Sequence, residues 1–406
     1  MAVKTGNEQL RDSMVAHQIG LLRLSGSINN RIIQLLDATE ADLKDRIERA
    51  LNSLVDGNPV DVTLPNVLKK LKALQDSIGE IRGAAMNDAL DEWNSQMRDL
   101  SVAEPAFTLS KIHAAMPIIL DMALPSPATL RALVSKQPFR GQTMKQWADQ
   151  LAEADQQRIM NEIRIGLIEG QSIADIARRI VGSAQYDGVD GATQITRNNA
   201  EAITRTAVNF FSNAARQEFF EANADVFTEE LYVATLDSRT TPICRSLDGK
   251  HFPVGKGPIP PLHWNCRSLR IAIVTDQPIG ERPFNSSTED QLLDEFTADN
   301  NLGSVSSRDN LPHGTKGKFD EFARKRTRQL IGQTPASTTY QEFLRNQSAT
   351  FQDDVLGVAK GKLFRKGGLT LDRFVDRNGK ELTLKQLLQN ERDAFRKAGL
   401  DPNDYL

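Results

Sequence analysis

Hydrophobic residues recur at helical spacing through the first hundred positions of the chain. Returns every three or four residues place them on one face of a helix, which buries that face against a neighbour. The first such face consists of Leu10, Met14, Leu21, Leu24, Ile28, Ile32 and Leu35. A second helix is predicted to begin after Thr39, because threonine is a suitable N-cap residue. The inward positions of this second helix are Leu43, Ile47, Leu51 and Leu54.

The third helix has the most regular pattern. Thr63 is its predicted cap, and Pro65 suits its first turn. Apolar positions then alternate steps of four and three residues, which is a heptad seam. The seam consists of Val67, Leu71, Leu74, Ile78, Ile81 and Ala85. A helix over residues 65–99 would be about 50 Å long, so the pattern favours an elongated helical arm or hairpin over residues 1–104. The alternative is a helical bundle within the chain that has no partner.

The rest of the chain divides into four further segments. Prolines such as Pro105 predict a linker or hinge over residues 105–140. A core is predicted over residues 141–276, with an amphipathic helix over residues 194–224 and two strands, Leu231–Leu236 and Leu269–Val274. Residues 277–335 are expected to form an extended surface segment. A C-terminal α/β part covers residues 336–406, and the fold class is α+β and mainly helical.

Three patterns define the predicted C-terminal part. A helix is expected over Tyr340–Lys360, followed by a loop, because glycines occupy positions 361, 367 and 368. Asn378-Gly379 is a tight-turn signal. Thr383 and Gln386 have the spacing of a capping box, and Gly399 is expected to end the last helix.

Composition narrows the classes of function. The 406 residues carry a net charge of -3, so the chain as a whole is not a basic nucleic-acid binder. Residues 301–406 contain 19 Lys and Arg against 13 Asp and Glu, so this part alone could face DNA, although a solvated surface also explains the excess. Neither an apolar signal core nor a run of about 18 apolar residues is present. We therefore expect no membrane span, and a soluble protein made in the cytoplasm.

Candidate chemistry is concentrated in the loop between the two predicted strands. This loop contains both cysteines of the chain and two of its five histidines. They are Cys244, His251, His263 and Cys266. Two Cys and two His can complete a tetrahedral zinc site, and the close pair His263 and Cys266 would form its knuckle. Asp237 is an alternative ligand if His251 points away.

Two alternatives to structural zinc remain open at this stage. The spacing differs from that of a standard zinc finger, since Thr241 stands where a CxxC pair would need its first cysteine. The cysteines could therefore be buried without a ligand. A Cys244–Cys266 disulfide is the other alternative, but a protein made in the cytoplasm is expected to keep its thiols reduced.

Three segments together resemble the Mu protein F-like, head-morphogenesis family of tailed phages. They are the helix Ala202–Thr206, the stretch Asp237–Gly249 with sequence DSRTTPICRSLDG, and Pro260–Arg267 with sequence PPLHWNCR. The ordered set covers roughly residues 160–275. Its signature residues in this chain are Arg205, Thr206, Asp237, Arg239, Asp248, Gly249 and Arg267.

The chain departs from this family pattern at three positions. Members often have cysteines where this chain has Thr241 and Ser268, so a four-cysteine metal site is impossible here. Many have a glutamate where it has Ala207, which removes a carboxylate that catalysis would need.

The resemblance implies a structural minor capsid protein in the phage head, near the portal vertex. Such a protein would be present in the virion in several copies, would contact the portal protein and the major capsid protein, and would assist head assembly, DNA packaging or ejection. No catalytic residues are predicted, and we expect no enzymatic activity.

Two other classes of function remain as alternatives. The first is an ejected protein that binds genomic DNA through the basic C-terminal part. The second is an enzyme, since relatives of this core are sometimes fused to nuclease or ADP-ribosyltransferase-like toxin domains. His263 with Asn265, or Asp237 with Arg239, would be the residues of such a centre.

Overall fold

The predicted fold class, α+β and mainly helical, is confirmed. A computed structural model describes residues 6–55, 58–115, 121–183, 185, 188–273, 281–312, 314–335, 338–376 and 378–405. Within these residues, long helices come first, a small antiparallel sheet follows, and shorter helices make up the C-terminal part.

The N-terminal half is a bundle of helices. Its helices are α1 (Gly6–Asp37), α2 (Glu40–Leu51), α3 (Pro65–Ala115), α4 (Pro127–Lys136), α5 (Met144–Ile168), α6 (Ile173–Val181) and α7 (Thr193–Ala222). Helices α1, α3, α5 and α7 share one apolar core, in which Trp93 of α3 is fully buried and its indole N–H donates to the Thr204 hydroxyl of α7 at 2.8 Å. The predicted arm therefore packs along the core segment of the same chain.

The heptad seam of α3 is buried, as its pattern predicts. Its residues from Val67 to Ile78 join a second apolar cluster with α2, α5 and α6, to which Ile47 and Ile163 contribute. The seam thus takes the alternative form considered above, a bundle within the chain, because its own neighbouring helices cover it.

Three local predictions in the bundle need correction. The Thr39 side chain does not cap α2; its hydroxyl donates to the Leu36 carbonyl at 2.8 Å. The Thr63 hydroxyl donates to Asp61 at 2.6 Å, so it does not cap α3. Helix α3 also continues through Pro105 to Ala115, and the predicted linker over residues 105–140 overlaps its end and contains α4. Pro105 is itself buried in this helix, although a proline inside a helix ordinarily costs roughly 3 kcal/mol.

A three-stranded antiparallel sheet follows the bundle. Strands β1 (Glu229–Val233), β2 (His251–Pro253) and β3 (Leu269–Ala272) lie in the order β2-β1-β3. The short helix α8 (Pro242–Leu247) lies in the connection from β1 to β2. Both predicted strands exist but are shorter than expected, and Val274 lies outside the described residues. The sheet packs on the C-terminal end of α7 through Phe219, Phe220 and their apolar neighbours.

The prediction of an extended segment over residues 277–335 is wrong for its described part. Strands β4 (Glu281–Asn285) and β5 (Ile331–Pro335) pair, and helices α9 (Glu289–Asp299) and α10 (Lys316–Gln329) lie between them. A capping box of Thr288 and Gln291 begins α9. These two helices have a small core of their own, centred on Phe296 and Phe319, and that core supplies the burial that an extended chain lacks.

Short helices around one apolar core make up the C-terminal part. They are α11 (Tyr340–Arg345), α12 (Ala349–Leu356), α13 (Val358–Arg365), α14 (Leu384–Asn390) and α15 (Arg392–Lys397). The capping box of Thr383 and Gln386 and the turn at Gly379 are confirmed. The predicted single helix Tyr340–Lys360 is three helices, and the predicted loop after it begins within α13, because Leu363 and Phe364 are buried in this core.

None of the helices formed by the described residues is long and apolar enough to cross a membrane.

Candidate metal centre in the loop between β1 and β3

The fold brings three of the four predicted ligands together. The Cys244 Sγ atom, on α8, lies 3.2 Å from the His263 Nε2 atom and 3.8 Å from the Cys266 Sγ atom. All three ligand atoms lie within 4.8 Å of one another. Both cysteines are free thiols and are buried, so the structure has no disulfide at this position.

Local sequence explains why these side chains converge. Pro242 occupies the first turn of α8 and directs the helix so that Cys244 faces the sheet. Asn265 takes a positive φ of 57°, a conformation that asparagine tolerates better than most residues. The resulting turn is closed by a hydrogen bond from the Cys266 N–H to the His263 carbonyl at 3.3 Å, so both side chains point to the same side.

Three buried polar residues that sequence reasoning missed surround the cluster. The Tyr232 hydroxyl on β1 lies 3.2 Å from the Cys244 Sγ atom. Ser268 is 2% exposed, and its side chain lies close to that same sulfur. The Asn209 side chain on α7 donates to the Cys266 and Ser268 carbonyls at 2.9 and 3.1 Å. The sequence signals for such a role were the polar residues at inward positions of α7 and the position of Ser268, where family members often have cysteine.

The predicted ligand set must be corrected from four residues to three. His251 lies on β2, where its exposed ring contacts Glu229 at 3.2 Å, and it is not part of the cluster. The pairing of β2 with β1 fixes this position. Asp237, the alternative ligand, instead accepts two hydrogen bonds from the Arg267 guanidinium, at 2.5 and 2.8 Å.

The close contacts shift the pKa values of the three side chains in different directions. The hydrogen bond from the Cys266 thiol, with help from His263, lowers the pKa of Cys244 despite its burial. The same bond, together with burial, raises the pKa of Cys266 well above its ordinary value. Burial opposes a charge on His263, but the contact with Cys244 outweighs it and raises the pKa of the imidazole. The pair is therefore polarised toward a Cys244 thiolate and a His263 imidazolium.

Donor chemistry and spacing both fit a metal ion of zinc type. Thiolate and imidazole are the ligands that zinc prefers. With Zn–S bonds of about 2.3 Å, two thiolates of a tetrahedral site lie about 3.8 Å apart, and this matches the separation of the two sulfurs. A nucleophilic role for Cys244 fits less well, because the side chain is 1% exposed and a substrate could not reach it.

Most signature residues hold the loops of this region in place. Arg267 pairs with Asp237 across the loop. The Thr206 hydroxyl on α7 accepts a hydrogen bond from the Asn265 N–H at 3.0 Å. The Asp248 carboxylate accepts hydrogen bonds from the Ala234 N–H at 2.6 Å and from the Tyr340 N–H at 2.7 Å. Asp248 therefore joins β1, α8 and the C-terminal part.

The remaining three signature residues differ in role. Gly249 has a φ of 78°, and a Cβ atom at this position would lie 2.9 Å from a methyl carbon of Thr339, so the close approach of two loops requires glycine. Arg239 is exposed, and its backbone N–H donates to Asp237 at 3.1 Å. Arg205 forms an ion pair with Glu201 one turn away on α7.

The Asp237–Arg267 pair should make stability depend on pH. Burial by itself would raise the pKa of Asp237, but the hydrogen bonds and charge of Arg267 outweigh it, so the folded pKa lies below the ordinary value. This stabilisation is present above the unfolded pKa of about 4 and is lost as pH falls through the folded pKa. Asp237→Asn should therefore lower the free energy of unfolding at pH 7 by about 2 kcal/mol.

Urea unfolding of parent and variant between pH 7 and pH 3 measures this effect. The difference between the two proteins should shrink at the acidic end. Asp393→Asn is the matched control, because that side chain is 85% exposed. A constant difference across this range would contradict the ion-pair interpretation.

Comparison with known proteins agrees with the resemblance seen in the sequence. Residues 157–271 match the family described as Phage Mu protein F like protein. The matched segment runs from within α5 to β3 and includes the whole Cys/His cluster. Searches of curated proteins and of solved structures give no match. Residues 157–271 of the chain are thus similar to the Phage Mu protein F-like family, a family of phage head morphogenesis.

Proposed function

We propose that this chain is a structural minor capsid protein of a tailed phage, that it lies in the head near the portal vertex, and that it assists head assembly. Its partners would be the portal protein and the major capsid protein, and each virion would hold several copies. The similarity of residues 157–271 to a head morphogenesis family supports the virion as its location.

The observation that supports a structural role is the set of contacts that the signature residues make within the chain. Thr206, Asp237, Asp248 and Arg267 each spend their side-chain hydrogen bonds on other parts of the same chain. Asp248 in particular links the family segment to the C-terminal part through Tyr340. The family motif is therefore best explained as a framework that holds the parts of the fold together.

An enzymatic role is less well supported by the same contacts. Asp237 and Arg239 were the pair considered for catalysis. The Asp237 carboxylate already forms an ion pair with Arg267, so it is not free to act together with Arg239. Cys244 is buried. We therefore propose that the protein acts without catalysis.

The DNA-binding alternative rests on the basic excess of the C-terminal part. Several of its cations are already engaged, since Lys360, Arg365 and Arg373 form ion pairs with acidic residues of the same part. Paired cations release fewer counterions on binding a phosphate backbone. We therefore propose packaging and ejection as secondary to a structural role in the head.

Sedimentation of particles tests the proposal. Full-length chain is produced with the capsid protein, with or without the portal protein, and particles are separated from soluble protein. The chain should co-sediment with particles that contain portal and should be depleted from those that lack it. Full-length chain that stays in the soluble fraction in both cases would overturn the assignment.

Two controls separate protein contacts from DNA contacts. Particles are prepared empty of DNA, and the salt concentration is raised from about 50 to 200 mM, a change that weakens phosphate binding by orders of magnitude. Retention in both conditions supports docking on head protein. Deletion of residues 1–100 is not a suitable test, because α3 contributes Trp93 to the same core as α7 and the remainder would lose this core.

A further inference from the structure

Three side chains of the Cys/His loop converge on one point, with their ligand atoms within 4.8 Å of one another. We propose that Cys244, His263 and Cys266 bind a structural Zn²⁺ ion, and that the Ser268 side chain faces its fourth ligand position. This inference concerns how the family segment is stabilised and does not depend on the proposed role in the head.

The first argument is the arrangement of donors around a common point. The sulfur–sulfur separation of 3.8 Å is the edge length of a tetrahedral zinc site with two thiolates. A sulfur and an imidazole nitrogen on such a site would lie about 3.6 Å apart, and here they are separated by 3.2 Å. Small side-chain adjustments are enough to place an ion between the three atoms.

The second argument is that hydrogen bonds to the backbone already orient the ligand side chains. The His263 Nδ1 atom lies 2.8 Å from the Trp264 carbonyl, so this nitrogen carries a proton, and an ion that displaced the Nε2 proton would meet a lone pair directed toward Cys244. A ring held in this way is usual for metal-bound histidine. The backbone N–H groups of Ser268 and Leu262 also donate to the Cys266 side chain, which favours a thiolate there once the ion is bound.

The third argument concerns the fourth position. Among the described residues, the metal-ligating types at this point are limited to the three named side chains. The buried Ser268 side chain lies close to both the Cys244 sulfur and the Tyr232 hydroxyl, so it is adjacent to the cluster. A cysteine in place of Ser268 would present a third thiolate to the same ion.

The ion would add a second link, beside the Asp237–Arg267 pair, between the connection that contains α8 and the loop before β3. Cys244 lies on α8, whereas His263 and Cys266 lie in the irregular loop before β3. The adjacent Trp264 packs edge-on against Trp147 of α5, with ring centroids 4.9 Å apart. Fixing the knuckle therefore also fixes this contact between the loop and the helical bundle.

Metal analysis of the full chain tests the first part of the proposal. Protein purified with a thiol reductant and without chelator should contain about one zinc per chain, as expected for a single tetrahedral site. Replacement of zinc by Co²⁺ should give the intense visible absorption of a tetrahedral ion and a near-ultraviolet thiolate-to-cobalt band. Folded, reduced protein that holds neither metal would overturn the proposal.

Variants test the ligand set and the fourth position separately. Cys266→Ser and His263→Gln should weaken Co²⁺ binding by more than the 10–100-fold typical of outer-sphere changes, whereas His251→Gln, on β2, should leave it unchanged. Loss of binding in His251→Gln would overturn the three-residue set. Ser268→Cys should strengthen binding about tenfold or more and increase the thiolate band. Unchanged affinity and unchanged spectrum in Ser268→Cys would overturn the assignment of Ser268, and this gain-of-binding test does not depend on whether the loss variants fold.

Discussion

Arg216→Met should lower the free energy of unfolding by about 3–5 kcal/mol, because it leaves a buried carboxylate without its cation. Arg216, on α7, is fully buried, and its Nη1 atom donates to Glu104 of α3 at 2.6 Å. Glu104 is 1% exposed, and its second oxygen lies 2.7 Å from the His17 ring of α1. The pair therefore joins the family segment to the N-terminal helices at a place that water does not reach.

A double variant distinguishes the net contribution of the ion pair to the free energy of unfolding from the penalty of leaving one buried charge unpaired. Arg216→Met combined with Glu104→Leu removes both charges and should recover most of the loss, since apolar replacements of a buried ion pair are often neutral or stabilising. Urea denaturation of parent, single and double variants measures the three free energies. Lys72→Met is the control, because that lysine belongs to an exposed pair with Asp76 and should change stability by less than about 1 kcal/mol. A double variant no more stable than Arg216→Met would contradict this account.

Leu74→Asp should destabilise the protein by about 3–5 kcal/mol, because it removes a buried apolar side chain and places a charge in its position. Leu74 is 4% exposed and lies in the α3 seam that packs against α2, α5 and α6.

Leu68→Asp provides a matched control for the seam. Leu68 lies on the same helix but is 50% exposed, so the same substitution should change stability by only about 0.5 kcal/mol. Thermal unfolding followed by circular dichroism compares the two variants directly. Equal melting temperatures for the two would mean that the seam is not a packing surface.

The hydrophobic pattern determined much of the helical fold without further information. A heptad seam buries the same face whichever helix covers it, so Leu74 and its neighbours could be assigned to a core from spacing alone. Capping chemistry is equally local, and the pair Thr383 and Gln386 formed as its spacing predicts. The sequence could not identify which helix covers the seam. An apolar face packs equally well against a helix of the same chain and against a helix of another chain.

Part of the Cys/His cluster was also determined locally. The short step from His263 to Cys266 with Asn265 between them is a turn that directs both side chains to one side. The sequence also placed Cys244 in the same loop. Residue type made both His251 and Asp237 acceptable ligands, and sequence spacing had no means of rejecting either one.

Tertiary structure decided the rest, because each remaining feature joins residues that are distant along the chain. Strand pairing with β1 carries His251 away from the cluster, and Arg267 engages Asp237. Asn209 approaches the knuckle from α7 across more than fifty positions, and Glu104 meets Arg216 across more than a hundred. Long-range contacts of this kind depend on how helices and strands pack as whole elements. A buried polar side chain acquires its partner only when that packing is complete.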